Sequence, residues 1–329
     1  HPRAAELNSP LADDTSLASF SIGTDESAVS VANRLQTMGL IDNASLFLQL
    51  LQYNGIDTHL QPGDYQLRRN LTMRQIGTAL YRGQSSQQVV TIFAGWRLEQ
   101  VAQSLHMNGI MDANQFYRVA ARGTHVQHPL LADRPAGQSY EGYLFPGTYY
   151  LLDNTTPTEL IQLMLDSMAR HLPPNYQELA QQQGLTFYEV LTMASIVERE
   201  AALDSERPLI ASVYLNRLQG KGDTRLLQAD PTVQYAMGYQ TEANQWWKSP
   251  VALEEYSGVD SPYNTYLYPG LPPGPIASPS LASIEAVLQP AQTDYLFFVC
   301  ASSGCTGGNH VFATNYTDHL QNVAAYYGQ

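Results

Sequence analysis

Thr186–Leu203, TFYEVLTMASIVEREAAL, is the stretch on which the reading of this chain turns. Thr186 followed three residues later by Glu189 is a capping box, so a helix is expected to begin there. At about 100° per residue, Phe187, Leu191, Ala194 and Ala201 fall on one stripe. Glu198 lies inside that stripe, roughly 20° from Leu191 and from Phe187. Glu189 and Glu200 fall about 160–180° away, on the face where acidic residues are expected. A carboxylate on the apolar side of a helix is partly desolvated, which disfavours its charged form. Proteins make general acids usable near neutral pH in this way. The alternative is a Glu at the edge of the stripe, salt-bridged to an arginine elsewhere in the chain.

Working outward, the segments before this helix divide at about residue 85. Residues 1–19 are polar and without periodicity, and read as a linker. Residues 20–85 alternate short strands with helices: FSIG, then Glu26–Met38, Ala44–Tyr53, a Pro-Gly turn into a strand, and Thr72–Tyr81. This small α/β unit carries no catalytic-looking cluster and reads as a binding or spacer module. Residues 86–329 form a larger mixed α+β region. It contains an aromatic strand-turn-strand segment at Ser139–Leu151, helices on both sides of the 186–203 stretch, a Pro/Tyr/Gly-rich loop near 245–282, a C-terminal β-hairpin and a last helix. The fold class is therefore α+β.

Composition narrows the partners. The 329 residues carry a formal charge of −13, which argues against nucleic acid or an anionic membrane surface. Hydrophobic residues make up 44%, enough for a real core. With 21 Tyr and 14% charged residues, the surface leans on neutral polar and aromatic groups, which suit sugars but also ordinary packing. No stretch approaches the roughly 18 consecutive apolar residues of a membrane span. The chain starts at His1 with no initiator Met, as a mature or trimmed fragment would, so a membrane anchor ahead of it is compatible with the sequence. Cys300 and Cys305 sit at the expected hairpin tip, either bridged or as two thiols; they make a weak metal site, and His310 reads as part of the second strand. No cofactor or metal is expected.

Four further segments ask for more than packing: Glu141 among aromatics in YEGYLFPGTY, Gln228 and Asp230 in LLQADPTVQYAMG, Asn264 in PYNTYLYPG, and SIVERE around Glu198. In order along the chain, Glu141–Pro146, Ala194–Glu200, Val213–Leu218, Leu227–Val233, Pro262–Tyr266, Gly270–Ile276, Tyr295–Val299 and His310–Phe312 form a series. With that series the chain resembles the YceG-like endolytic murein transglycosylases (the MltG family) over roughly residues 20–329. Gly147, Ser280 and the tip between the cysteines depart from the family's usual pattern.

The resemblance implies a LysM-like unit at 20–85 and a YceG-like catalytic domain at 86–329. It implies cleavage of the β-1,4 bond between N-acetylmuramic acid and N-acetylglucosamine in peptidoglycan, leaving 1,6-anhydro-muramic ends. The family's catalytic glutamate is expected at Glu198, acting first as acid and then as base. Peptidoglycan strands are the expected partner and cell-wall synthases candidate partners, at the outer face of the cytoplasmic membrane.

Gln228 and Asn264 are candidates for orienting the substrate, or else bond their own loops. Glu141 is expected to pair with Arg217 or line a cleft. Tyr143, Tyr263 and Tyr266 are expected either to stack on sugars or to pack. Asp230 is expected to cap a helix. Two rivals stand beside this reading. One is a muramidase with Asp230 or Glu141 as its second carboxylate; the other is an inactive peptidoglycan-binding scaffold.

Overall fold

The computed structural model describes residues 6–83, 87–152, 155–221, 225–302 and 308–327. The expected boundary at 85–86 and Cys305 lie outside the described residues. The chain packs as two units. The first comprises His1–Thr91, Leu105–Asp112 and Thr148–Asp166, and the second Ile92–Ser104, Ala113–Gly147 and Ser167–Gln329. Two later segments, Leu105–Asp112 and Thr148–Asp166, pack with the first unit.

In the first unit, β1 (Leu17–Ile22) alternates exposed and buried residues, turning Ala18, Phe20 and Ile22 inward. Between β1 and its partner run α1 (Ala28–Thr37) and α2 (Ala44–Tyr53). β2 (Gly63–Arg68) then pairs antiparallel with β1, from Leu17 opposite Arg68 to Ile22 opposite Gly63. α3 (Met73–Arg82) closes the unit. Side chains satisfy the free N–H groups at the helix starts: Ser27 and Asn43 cap α1 and α2, and Thr72 forms a capping box with Gln75 on α3. Val31, Leu35, Phe47, Leu51, Leu67, Ile76 and Leu80 fill the space against the sheet. The expected linker is partly ordered, since β1 starts at Leu17, Leu7 packs on this core, and Pro10 bridges to Thr72. β3 (Gln87–Ile92) and β4 (Gly147–Leu152) make a second two-stranded sheet, with the hydroxyls of Thr91 and Thr148 3.1 Å apart.

The second unit is built around one helix. Beyond α4 (Leu98–Met107) and α6 (Pro157–His171), whose residues are divided between the two units, and α5 (Ala113–Arg122) and α7 (Tyr176–Gln182), α8 spans Phe187–Glu200. Thr186 caps it with Glu189 in the expected box. Its expected division into an apolar stripe and a polar face is not observed: nearly every residue from Phe187 to Val197 is buried, Thr192 and Ser195 included. A helix covered all round is a central helix. Its neighbours are α7, α9 (Arg207–Leu218), α10 (Asp230–Met237) and α12 (Leu281–Leu288), with α11 (Leu253–Gly258) in the intervening loop.

Two glycines fix how loops reach α8. Gly142 adopts φ 82°, and a Cβ there would lie 2.5 Å from Pro275. At Gly274 a Cβ would fall 2.2 Å from the Tyr188 hydroxyl, which donates to the Pro273 carbonyl. The EGYLFP segment is thus a buried turn packed on the Pro-rich loop. Only Gly147–Leu152 is a strand, where the sequence suggested strand-turn-strand from Ser139. The C-terminal hairpin is as expected: β5 (Phe297–Cys300) pairs antiparallel with β6 (His310–Ala313), and α13 (Tyr316–Tyr327) packs on it. Cys300 is disulfide-bonded. The architecture is α+β, with small antiparallel sheets and a helical centre.

Candidate active site

The last turn of α8 reads Glu198-Arg199-Glu200 and ends where Ala201 turns extended. Carboxylates here meet the negative end of the helix dipole, so each needs a specific partner. The two glutamates find very different ones.

Glu198 is 8% exposed at its side chain and forms a salt bridge with Arg207, itself 10% exposed, at 3.2 Å. Its Oε2 also accepts from the Ser280 N–H at 2.9 Å, the Ser280 hydroxyl at 2.5 Å and the Ser283 hydroxyl at 2.8 Å. The second guanidinium nitrogen of Arg207 reaches Oε1 at 3.5 Å. Arg207 further donates to Ser283 at 2.6 Å and Asp204 at 2.8 Å. Ser280 is at once the N-cap of α12 and a ligand of Glu198. The carboxylate is therefore neutralised and solvated by protein groups, and it ties α8 to α9 and α12. Glu198 is as desolvated as its place in the stripe implies, and it is also salt-bridged, as the alternative expected.

Glu200 lies on the face assigned to solvent, yet the covered helix leaves it only partly exposed. Oε1 accepts the Tyr214 hydroxyl at 2.7 Å. Burial pushes the carboxyl from 4.5 up to about 7. The Tyr214 hydrogen bond opposes the rise, the Asp230 carboxylate adds to it, and Arg217 and Arg199 work against it. No ion pair holds Glu200 among the described residues. It can therefore hold a proton near neutral pH and release it to a partner.

Asp230 opens α10 at its first residue; Ala229 is the cap position, so the expected capping role is not the one observed. Its oxygens accept the Tyr266 hydroxyl at 2.6 Å and the Tyr256 hydroxyl at 3.0 Å. Burial and the neighbouring Asp230 hold the Tyr256 hydroxyl up at about 12 and that of Tyr266 well above its ordinary value. Gln228 is exposed and takes a left-handed φ of 51°, with its N–H donating to Thr265 at 3.1 Å. Such strain in a non-glycine residue clusters at functional sites.

The remaining expected site residues are interior. Glu141 is 3% exposed, and both its oxygens accept the Leu98 N–H, at 3.1 and 3.0 Å, capping α4. Burial pushes its carboxyl up to about 8, partly offset by the Leu98 hydrogen bond. It does not pair with Arg217, which donates instead to the carbonyls of Leu296 and Leu227. Tyr143 is fully buried and stacks on Tyr188, so it presents no face to a ligand. Asn264 is fully buried too; its amide donates to Tyr256 and Val259 and accepts from Tyr266, which shapes its own loop. Tyr263 is half-buried against Tyr235 at 4.8 Å. His310 accompanies Glu206 at 2.7 Å, a structural pairing.

Nothing in the sequence pattern singles out the tryptophans. All three, Trp96, Trp246 and Trp247, lie in this unit with two arginines. The Arg199 guanidinium sits 4.1 Å from the Trp247 ring, and Arg97 sits over Tyr235 and Trp246 at 4.2 and 4.6 Å. Gly95 allows this approach: a Cβ there would lie 3.0 Å from Arg199 and 3.9 Å from Cγ of Glu198. The signal available beforehand was electrostatic, two acids at the wrong end of a helix.

The profile of the YceG-like family matches residues 20–325. The endolytic murein transglycosylase of Streptococcus pneumoniae (serotype 2, strain D39) is 32% identical over 316 residues, covering 89% of this chain and 55% of that protein. The endolytic murein transglycosylase of Bacillus subtilis (strain 168) is 30% identical over 313 residues, covering 89% of this chain and 81% of that protein. The chain thus spans about half the length of the pneumococcal relative. A 2.6 Å crystal structure of a YceG-like protein from Listeria monocytogenes matches with a TM-score of 0.57 at 28% identity, over 93% of this chain and 99% of that one.

Proposed function

The chain belongs to the YceG-like family, and we propose that it is an endolytic lytic transglycosylase of peptidoglycan; the family resemblance puts the catalytic glutamate at Glu198, and the geometry favours its neighbour Glu200 as the proton donor. The observation that carries the residue assignment is the contrast within one helical turn. Glu198 is committed to an arginine and three hydrogen-bond donors, whereas Glu200 is desolvated, in no ion pair among the described residues and poised near 7.

Protonated Glu200 donates to the glycosidic oxygen as that oxygen's bond to C1 of the muramyl unit breaks. The resulting carboxylate is stabilised by the Tyr214 hydroxyl. It then takes the proton of the C6 hydroxyl as O6 bonds to C1. One C–O bond breaks, one forms, and the proton passes from O6 to the leaving oxygen. An intramolecular nucleophile has a large effective concentration, so no water-activating base is needed. Gln228, exposed and strained beside Asp230, is the residue best placed to orient the sugar.

Asp230 supports a second reading. It is a second carboxylate, close enough to raise Glu200, and could serve a hydrolase as base. Mass spectrometry of digested sacculi separates the two: anhydro-muramic ends support transglycosylation, and ends heavier by one water support hydrolysis. The residue assignment is tested by Glu200→Gln and Glu198→Gln. Glu200→Gln is expected to abolish release of fragments while the protein stays folded. A fully active Glu200→Gln would return the role to Glu198.

The finer setting follows from the same reading. The enzyme works outside the cytoplasmic membrane, tethered by a segment ahead of this chain, beside cell-wall synthases. The β–α–α–β order of the first unit, with its two strands antiparallel, supports a LysM-like module.

A further inference from the structure

Two arginines lie against the tryptophans of the second unit, and only one is explained by the fold. Arg97 is 5% exposed, bonds Glu99 through two nitrogens at 2.7 and 3.1 Å, and reaches the Tyr235 carbonyl. Its charge is matched, and its stacking on Tyr235 and Trp246 is packing. Arg199 stands one residue from Glu200 and has no carboxylate within ion-pair distance among the described residues. Its Nη1 makes one long contact, 3.4 Å, to the Gly95 carbonyl, and its Nε is buried with no acceptor. The carboxylates of Glu198 and Glu200 act on this charge only from beyond bonding distance, so a partly buried guanidinium is left with unmet N–H donors, a cost that a directly bound anion would recover.

The ring beneath it points the same way. Trp247 is half-buried, and its indole N–H donates to Gln100 at 3.0 Å, which fixes the ring plane. The neighbouring Trp246 is also half-buried, its N–H has no acceptor, and the adjoining Tyr239 is 42% exposed. Half-exposed rings in a fixed plane suit the apolar face of a sugar, and a cation stacked on the ring suits an acidic substituent of that sugar.

We propose that Arg199 and Trp247 form a subsite for an acidic amino-sugar unit, the ring packing on the indole and a carboxylate carried by its substituent pairing with the guanidinium. This rests on the reading that the Glu200 end of α8 faces the glycan. It adds that the enzyme distinguishes a muramyl unit from a neutral amino sugar by charge, immediately beside the scissile bond.

The test reads binding, so failure of the catalytic assignment leaves it intact. Isothermal titration uses an anhydro-ended muropeptide tetrasaccharide with free carboxylates, and the same compound with those carboxylates converted to primary amides. Wild type is expected to bind the acidic probe about tenfold more tightly, with the preference shrinking at high salt. Arg199→Gln should bind both probes equally, at the level of the amide. Trp247→Ala should weaken both by about tenfold; Trp247→Phe, which keeps a ring, should weaken them less. Thermal melting checks that each variant is folded. An unchanged preference in Arg199→Gln, no preference in wild type, or undiminished binding by folded Trp247→Ala would each overturn the proposal.

Discussion

The hydroxyl of Tyr214 donates to Oε1 of Glu200 across 2.7 Å, joining α9 to the last turn of α8. Tyr214 is 1% exposed, so its hydroxyl is shielded from solvent. Because the bond favours the charged carboxyl, Tyr214→Phe should move the alkaline limb of the pH–rate profile upward from about 7. The maximal rate should fall by about tenfold as the carboxylate formed on proton donation loses its donor. A profile that shifts downward or stays put would count against Glu200 as the acid.

Replacing Glu200 by Gln should lower glycan release by about 100-fold or more, the range for a lost general acid. Counting anhydro ends by chromatography of digested sacculi gives the measurement. Equal digestion by wild type and variant would end the assignment.

The two elevated carboxyls make a stability prediction with a definite sign. Glu200 at about 7 and Glu141 at about 8 keep their protons in the fold above the 4.5 at which the unfolded chain loses them. The folded state therefore binds more protons across that window. Stability from each is fully present below about 4.5 and is lost as pH rises through about 7 and about 8. At roughly 1.4 kcal/mol per unit, the decline is measurable by denaturant titration at pH 5 and pH 8.5. Glu141→Gln should flatten it, since a neutral amide oxygen can still accept from Leu98. An unaltered slope in that variant would show that Glu141 is ionised throughout.

Glu198 and Arg207 form a buried pair, and removing one partner strands the other. Glu198→Met or Arg207→Met should each cost about 3–5 kcal/mol. The double variant should cost less than the sum, because neither charge is then left alone. Melting temperatures of the three proteins measure this, and additive losses would mean that the pair is not coupled.

Gly142 and Gly270 both adopt positive φ, 82° and 88°, but differ in their surroundings. At Gly142 a Cβ would strike Pro275 at 2.5 Å, while Gly270 has open space. Gly270→Ala should therefore cost only the backbone strain, about 1–2 kcal/mol. Gly142→Ala should cost clearly more, because the Pro-rich loop must move. Similar melting temperatures for both would show that the loop yields freely.

Much of this was legible in the chain. The capping box at Thr186 places the start of α8 directly, and the helix expected at Thr72–Tyr81 is α3. The ordered motifs led to the family. The site was harder to read because periodicity assumes that a helix has one wet side. α8 is covered on nearly every side, so the face argument puts solvent where Tyr214 lies and does not separate Glu198 from Glu200 by burial. Asn264, Glu141 and Tyr143 stood in the right segments for a different reason: they hold those segments in shape. A polar residue that builds a loop and one that touches a ligand look alike until burial is known. Asp230 shows the same limit, since its two tyrosine donors lie 26 and 36 residues away in sequence.

The confinement of Trp96, Trp246 and Trp247 to the second unit has an optical consequence. Emission excited at the indole band originates wholly in that unit, and the first unit is dark at that wavelength. Unfolding of the β1–β2 module would register in far-ultraviolet dichroism and pass unseen in indole fluorescence. Non-coincident melting curves from the two signals would therefore separate the stabilities of the two units in the intact chain, with no label attached.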